Sequence, residues 1–491
     1  MSTPRVYPAY SLEIVVSTGQ MRRAGQIISA IPGHVDVHEV GPQRSGWVRL
    51  ILTTDTEQHL HDLETQLREG LDFHLIHCED RVLALSRGGK TQTRVSVPLD
   101  TAEDLALAYT PGVGRVASLL AHAPDRVNEL TGRANRVAVV TDGSAVLGLG
   151  NLGPFAALPV MEGKAALFAR LSEIDAVPIC LDTQDVEEIV AAVTAIAPSF
   201  GGINLEDISA PRCFAVEERL RERLDIPVIH DDQHGTATVV LAALINAFRV
   251  VGKPFETSRI VVSGAGAAGT AVTRLLLAAG AHDVTVWAPV GILHPGLDEQ
   301  LPEHKRWLAH HTNPRRLEGG LREALANADA VVGVSAPGVL TRALIKRMAR
   351  APIVFALANP DPEIDPDDIA DLAAVIATGR SDYPNQVNNA LVFPGLFRGV
   401  LGSGSTSLDE GVFLAAARAL AGLISPPSAT RLLPDVFDPR VVPTVAAAVH
   451  ESITSPSAAQ PALGSQGHST QTATPPDQQP HHPSTGEDDR G

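Results

Sequence analysis

Two pairs of adjacent carboxylates, Glu206-Asp207 and Asp231-Asp232, each follow a short apolar run: Gly201-Gly202-Ile-Asn-Leu in one case, Ile226-Pro-Val-Ile-His230 in the other. If both runs are strands of one parallel sheet, the pairs share the crevice at its carboxyl edge, where their mutual repulsion calls for a cation. Oxygen donors without cysteine or paired histidine select a hard ion, Mg²⁺ or Mn²⁺. Taken singly, each pair favours a helix N-cap, through Asp207 or Asp232. Lys164, in Met161-Glu-Gly-Lys-Ala-Ala-Leu, opens an apolar helical stretch over Gly163–Leu171. At a helix N-terminus the macrodipole disfavours a cation and lowers its pKa, as a general base requires. Tyr109 closes another helical stretch at the turn Ala108-Tyr-Thr-Pro-Gly112, where it either donates a proton or packs.

A further chemical signal is Arg259-Ile-Val-Val-Ser, a strand, followed by Gly264-Ala265-Gly266-Ala267-Ala268-Gly269 and a helix over Thr270–Ala279. Strand, GxGxxG and helix in that order form a dinucleotide-binding turn. The first glycine makes the turn, the second admits the pyrophosphate, and the third lets helix and strand pack. The next strand, Asp283–Trp287, ends at Ala288 without the acid that holds the ribose of NAD. Asp283 stands at the other end of that strand and reads as a turn residue, so NAD and NADP both stay open.

Such groups need rigid strand ends to hold them. From Thr91 onward short Val/Ile/Ala strands (Arg136–Thr141, Ala176–Leu181, Ile203–Glu206, Val228–His230) alternate with helices (Val186–Ala197, Cys213–Leu224), the pattern of parallel sheets with crossover helices. The first ninety residues differ. Ser11–Ser17, Val35–Val40, Trp47–Thr53 and Phe73–Cys78 read as strands, and Met21–Ala30 and Thr56–Glu69 as helices, giving βαββαβ, the ferredoxin-like order. An ACT-type regulatory module and a plain packing or dimerisation domain both fit that order. Gly88-Gly89-Lys90 forms a hinge. From Thr454 to Gly491 little apolar remains to bury, which predicts disorder and makes the His481-His482 pair incidental.

Composition bounds the rest. The chain has 491 residues, a net charge of −17 and 3 cysteines, Cys78, Cys180 and Cys213, without a CxxC. That length gives a few domains of roughly 100–200 residues. The acidic balance argues against nucleic acid or anionic membrane as partner. The cysteine usage indicates a reducing compartment and no zinc. The start lacks a signal peptide, and the apolar stretch Thr236–Phe248 reads as a core helix, so a cytoplasmic protein is expected.

Read together, Tyr109-Thr-Pro-Gly-Val, Thr141-Asp-Gly-Ser-Ala-Val-Leu-Gly-Leu-Gly-Asn-Leu-Gly-Pro154, Pro159-Val-Met-Glu-Gly-Lys164-Ala, Phe200-Gly-Gly-Ile-Asn-Leu-Glu-Asp-Ile208, His230-Asp-Asp-Gln-His-Gly-Thr236, Ala358-Asn-Pro360 and Asn388-Asn-Ala-Leu-Val-Phe-Pro-Gly395 closely resemble malic enzyme of the bacterial type. The resemblance runs from about residue 100 to 450, and an ACT-like module precedes the catalytic part in some such enzymes. It implies oxidative decarboxylation of L-malate to pyruvate and CO₂, with reduction of NAD or NADP. By position, Lys164 corresponds to the general base and Tyr109 to the acid that protonates C3 of enolpyruvate. Glu206, Asp207 and Asp232 correspond to the metal ligands, and Asp231 to a hydrogen-bonding neighbour. Asn359 and Asn389 correspond to contacts with substrate and nicotinamide, with Asn388 beside them.

The α/β architecture so implied is a ferredoxin-like, ACT-type module over 1–90, a substrate and metal domain over 91–232 with a returning segment 389–450, and a Rossmann-type doubly wound parallel sheet over 233–388. A dimer or tetramer of identical chains is expected from the resemblance, as is an amino-acid or acyl-CoA effector at the first module. Two departures stand out. Ala145 replaces an arginine that grips substrate carboxylate in larger eukaryotic-type relatives, so another cation, including one from a partner subunit, must serve or affinity is weak. Ala288 replaces the aspartate usual in bacterial relatives. The alternatives are a malolactic-type enzyme that releases lactate and a metabolite sensor without turnover; intact Tyr109, Lys164 and carboxylate set count against the sensor.

Overall fold

A computed structural model describes residues 9–33, 35–44, 46–406 and 408–455. The tail from 456, with His481 and His482, lies outside the described residues. Four antiparallel strands open the chain: β1 (Tyr10–Ser17), β2 (Asp36–Arg44), β3 (Trp47–Thr54) and β4 (Phe73–Asp80), in the order β2-β3-β1-β4. Helices Met21–Ala30 and Glu57–Gly70 complete the expected βαββαβ order. Alternate residues of β1, Leu12, Ile14 and Val16, are fully buried against Leu60, Leu63 and Leu67 of the second helix. The period of two thus meets a period of three to four across one small core. A short helix, Arg81–Ser86, not evident in the sequence, follows β4, capped by the Asp80 carboxylate on the N–H groups of Val82 and Leu83.

The second sheet is wholly parallel. Its strands β5 (Arg136–Thr141), β6 (Asp175–Cys180), β7 (Gly202–Leu205) and β8 (Val228–His230) lie in the order β6-β5-β7-β8. In the third sheet β9 (Arg259–Ser263), β10 (Asp283–Ala288), β12 (Ala330–Gly333), β13 (Ile353–Ala356) and β14 (Val375–Thr378) are parallel, with β11 (Gly291–Ile292) antiparallel at one edge, in the order β11-β10-β9-β12-β13-β14. The order reverses beside β9, so the crevice beyond β9 and β12 is the ligand position of a doubly wound sheet.

Helix Asp231–Val251 runs through the middle of the main core, across the expected boundary at 232. Among the described residues it is the one helix apolar and long enough to cross a membrane, and it is largely enclosed by its own protein, as a core helix is. Asn246 within it donates to the Ala421 and Leu432 carbonyls at 2.9 and 2.8 Å, which ties it to the returning segment. That segment forms helices Phe393–Ser403, Glu410–Gly422 and Val441–Thr454. Phe393 and Phe397 pack on Phe168 with ring centroids 4.6 and 5.3 Å apart. Pairs of this kind contribute about 0.5–1.5 kcal/mol each beyond area burial.

One element differs in a way that matters for chemistry. The helix expected to begin at Gly163 begins at Pro154, after Gly153 at φ 78°, and runs to Ser172 with Pro159 inside its first turns. Proline at the first helical position starts it. Lys164 therefore sits in the helix middle, and the macrodipole argument for a lowered pKa does not hold. Asp283 likewise is the first residue of β10, held by Arg315 Nε at 3.1 Å, and not a turn residue.

Candidate active site

The carboxylate pairs stand where the strands stop. Leu205 and His230 are partners at the carboxyl ends of the neighbouring strands β7 and β8, so Glu206-Asp207 and Asp231-Asp232 follow side by side. Neither pair caps a helix: the helices Arg212–Arg223 and Asp231–Val251 have Pro211 and His230 at their N-caps, without side-chain caps. Instead the Asp232 carboxylate accepts from the Asp207 N–H at 2.8 Å, and Asp207 takes a left-handed backbone, φ 53°. Asp231 is fully buried, and Glu206 and Asp207 nearly so.

Lys164 reaches this edge from its helix. Its Nζ lies 2.5 Å from Asp231 Oδ2, 2.8 Å from Glu206 Oε1 and 3.9 Å from the ring centre of Phe393. Asn389 Nδ2 donates to the same Asp231 oxygen, and Asn204 Nδ2 to Glu206 Oε1 at 2.7 Å. Burial alone would lower the Lys164 pKa, but the Asp231 and Glu206 carboxylates outweigh it and hold the ammonium above its usual range. The expected depression is thus reversed, because two buried carboxylates outweigh desolvation. Burial and neighbouring acids push Glu206 up to about 8 and Asp207 up to about 7.

These acids have the donor chemistry of a hard-cation site. Asp207 Oδ2 and Asp231 Oδ1 are buried without a hydrogen-bond partner, and oxygens predominate among the donors, with His230 Nε2, 3.4 Å from Asp232 Oδ2, the nitrogen beside them. The side chains are not gathered around one point, however. Among the described residues no group of three or more His, Cys, Asp or Glu is close enough to hold a metal ion. Lys164 is shared by Glu206 and Asp231, which also accept from Asn204 and Asn389 respectively, and Asp232 accepts from the Asp207 N–H.

Tyr109 is not part of this cluster. It is the C-cap of helix Ala102–Ala108 and is 66% exposed. Around it, Leu105, Leu107 and Val113 are exposed, as are Leu147, Leu149, Leu152 and Phe155 farther along the chain. Asn359 is exposed at the end of the β13 loop, Asn388 caps Ala390 N at 2.9 Å, and Asn389 alone of the three touches the Lys164 cluster. Sequence reasoning missed Asn204, whose signal is a polar residue in an otherwise apolar buried strand. It also missed the pair between buried Asp142 and half-buried Arg212, 3.0 Å apart, where Asp142 Oδ1 also accepts from Ser144 N. Arg212 lies seventy positions away, so no local pattern announces it.

The glycine-rich turn has the geometry its spacing predicts. Gly264 has φ +123°, and a Cβ there would meet the Val334 carbonyl oxygen at 2.4 Å. A Cβ on Gly269 would meet the Gly264 oxygen at 2.1 Å, whereas one on Gly266 would meet nothing within 4 Å. The first and third glycines are therefore required by packing, and the second opens onto the space a pyrophosphate needs. Helix Ala267–Ala278 starts at Gly266 without a side-chain cap, leaving its first N–H groups, from Ala267, Ala268 and Gly269, for an anion. Ala265 and Ala288 are buried, and no carboxylate ends β10.

Residues 88–221 match the model of the malic enzyme N-terminal domain, and residues 233–454 that of the malic enzyme NAD binding domain. The chain is 51% identical over 380 residues to an NAD-dependent malic enzyme of Geobacillus stearothermophilus, covering 77% of this chain and 79% of that one. It is 48% identical over 364 residues to a bifunctional malic/malolactic enzyme of Bacillus subtilis, covering 74% of this chain and 89% of that one. A crystal structure of an NAD-dependent malic enzyme from Thermotoga maritima superposes with a TM-score of 0.73 at 47% identity, covering 75% of this chain and 98% of that one.

Proposed function

The chain belongs to the malic enzyme family, and we propose that it oxidises and decarboxylates L-malate to pyruvate and CO₂ while reducing NAD or NADP. The observation that carries this is the buried Lys164–Asp231–Glu206 cluster at the edge of one parallel sheet, in a chain that also has a dinucleotide turn. Lys164 is the general base for the C2 hydroxyl, Tyr109 the acid for C3, and Asn359, Asn388 and Asn389 the contacts to substrate or nicotinamide. Held as an ammonium, Lys164 must first pass its proton to one of its two carboxylates, Asp231 or Glu206, before the neutral amine takes the proton of the C2 hydroxyl; Glu206 is the one it shares with the ligand set Glu206, Asp207 and Asp232. Asp231, fixed by Asn389, then orients the amine. Glu206, Asp207 and Asp232 would hold a divalent Mg²⁺ or Mn²⁺, which would supply polarisation of the C2 oxygen and a counter-charge for what develops on it. Gly264, Gly266 and the N–H groups of Ala267 to Gly269 would hold the pyrophosphate of the dinucleotide, which would supply the hydride acceptor. Two cleft domains, 91–232 with 389–450 and 233–388, exclude water on closing.

A malolactic outcome is kept as the second reading because the Bacillus subtilis relative is described as bifunctional. One assay tests both: purified protein with L-malate and Mn²⁺, comparing NAD with NADP and identifying the product. Pyruvate with stoichiometric reduced dinucleotide supports the first reading, lactate the second, and no turnover with either dinucleotide defeats both.

The assembly we propose is a homo-oligomer. Its support is the exposure of Leu105, Leu107, Tyr109, Phe155 and their neighbours, since monomers rarely show large apolar areas to water. A second copy covering these residues would also bring groups toward Tyr109, which stands apart from Lys164 in the single chain. We further propose that the β1–β4 module is ACT-like and binds an amino acid or acyl-CoA effector. Deleting residues 1–90 should remove the effector response and spare turnover; an unchanged response to every such compound defeats it.

A further inference from the structure

Glu363 is a buried carboxylate that the chemistry above does not use. It is 0% exposed and lies in the loop after Asn359-Pro360. Its Oε1 accepts from Ser335 N at 2.7 Å and from Ser335 Oγ at 3.3 Å, and its Oε2 accepts from Ala358 N at 3.0 Å. Its own carbonyl accepts from Leu340 N at 3.0 Å. One residue thereby clamps the loop after β12 to the loop after β13. The carboxylate occupies the place of a side chain at position 333: a Cβ on Gly333 would lie 2.5 Å from Glu363 Cδ.

Both clamped loops lead to groups that the proposed function assigns to ligand. Ser335 Oγ contacts Ser263 Oγ, the last residue of β9, at 3.2 Å, and the Val334 carbonyl is the atom that Gly264 must be a glycine to meet. The pyrophosphate turn thus rests on the segment Glu363 holds. On the other side, Ala358 precedes Asn359, whose carbonyl oxygen would lie 2.1 Å from a Cβ on Gly148, in a loop of the second sheet. The Asn359 segment is therefore in close contact across to the substrate side. Both oxygens accept from backbone N–H groups, so the arrangement suits a carboxylate and no isosteric amide, which would turn an NH₂ toward an N–H.

We propose that Glu363 is a positioning residue that sets the Gly264 turn and the Asn359 loop at their joint distance for the dinucleotide. This rests on the dinucleotide reading of the GxGxxG turn. The test is titration of reduced dinucleotide, followed by nicotinamide fluorescence, into wild type and Glu363→Gln, with Mn²⁺ affinity measured on the same samples by electron paramagnetic resonance. The dinucleotide Kd should rise on the order of tenfold in Glu363→Gln. Mn²⁺ affinity should stay as in wild type, because the carboxylate set belongs to the other sheet, and Glu363→Asp should recover part of the dinucleotide affinity. If wild type binds no dinucleotide, the functional reading itself fails. If wild type binds and Glu363→Gln binds as tightly, or loses Mn²⁺ affinity to the same degree, the positioning role is overturned. Should Glu363→Gln not fold, Ser335→Ala keeps both backbone bonds and should weaken the dinucleotide about threefold; unchanged binding there overturns the proposal.

Discussion

Replacing Lys164 by methionine keeps a long stem and removes the charge. The ammonium is buried and shared by Asp231 at 2.5 Å and Glu206 at 2.8 Å. Deleting one partner of a buried ion pair costs about 3–5 kcal/mol. Here neither acid is left bare, since Asn389 still donates to Asp231 and Asn204 to Glu206. The stability loss therefore belongs near the lower end, about 3 kcal/mol. Loss of a general base costs about 10²–10⁴-fold in rate, or about 2.7–5.5 kcal/mol of barrier. Lys164→Arg separates the two effects. Its guanidinium can pair with both carboxylates but holds its proton at any working pH. It should recover stability in urea denaturation while malate oxidation, followed by dinucleotide absorbance at saturating malate and Mn²⁺, stays as low as in Lys164→Met. The reasoning is refuted if either variant turns over within about tenfold of wild type, under 1.4 kcal/mol of barrier.

Asp232→Ala should weaken Mn²⁺ binding and also free the Asp207 N–H that Asp232 now accepts from; undiminished Mn²⁺ affinity would remove Asp232 from the ligand set. Tyr109→Phe should lower kcat and leave stability within about 0.5 kcal/mol, because an exposed phenol makes little packing; an unaltered kcat removes it as the acid. Glu217 gives a pH dependence. Burial alone would raise its carboxyl, but His234 and Arg221 outweigh burial and hold it at about 2, against its usual 4.5. The difference is worth about 3 kcal/mol. Its native pKa is depressed, so that stability is present above the unfolded value and is lost as pH falls from the unfolded value through about 2. Glu217→Gln should lose about 3 kcal/mol at neutral pH and almost nothing near pH 2; equal losses at both would count against the linkage.

Much of the architecture was legible because it repeats. The βαββαβ order follows from Leu12, Ile14 and Val16 alternating inward, and the parallel sheets from short apolar runs separated by helices. The end of Glu206-Asp207 beside Asp231-Asp232 followed from the same reading, since acids placed just after buried strands have one place to go. The helix start at Pro154 did not, because Gly163 looks like a boundary, whereas Gly153 and Pro154 supply the actual one nine residues earlier. That error carried the protonation of Lys164 with it.

The sequence by itself determined the kinds of group present and the edges they occupy: acids after β7 and β8, glycines after β9, and no acid after β10. Those features are local, since strand ends and turn glycines are set by residues a few positions apart. Tertiary structure alone decided which charges meet. Lys164 is 67 positions from Asp231, and Asn389 is 158 from it, yet the three share one buried oxygen. The proton affinity of Lys164 depends on that meeting: desolvation and two carboxylates act in opposite directions, and only distances say which prevails. Glu363 is the same case, an ordinary acid in a loop until folding aims two backbone N–H groups at it.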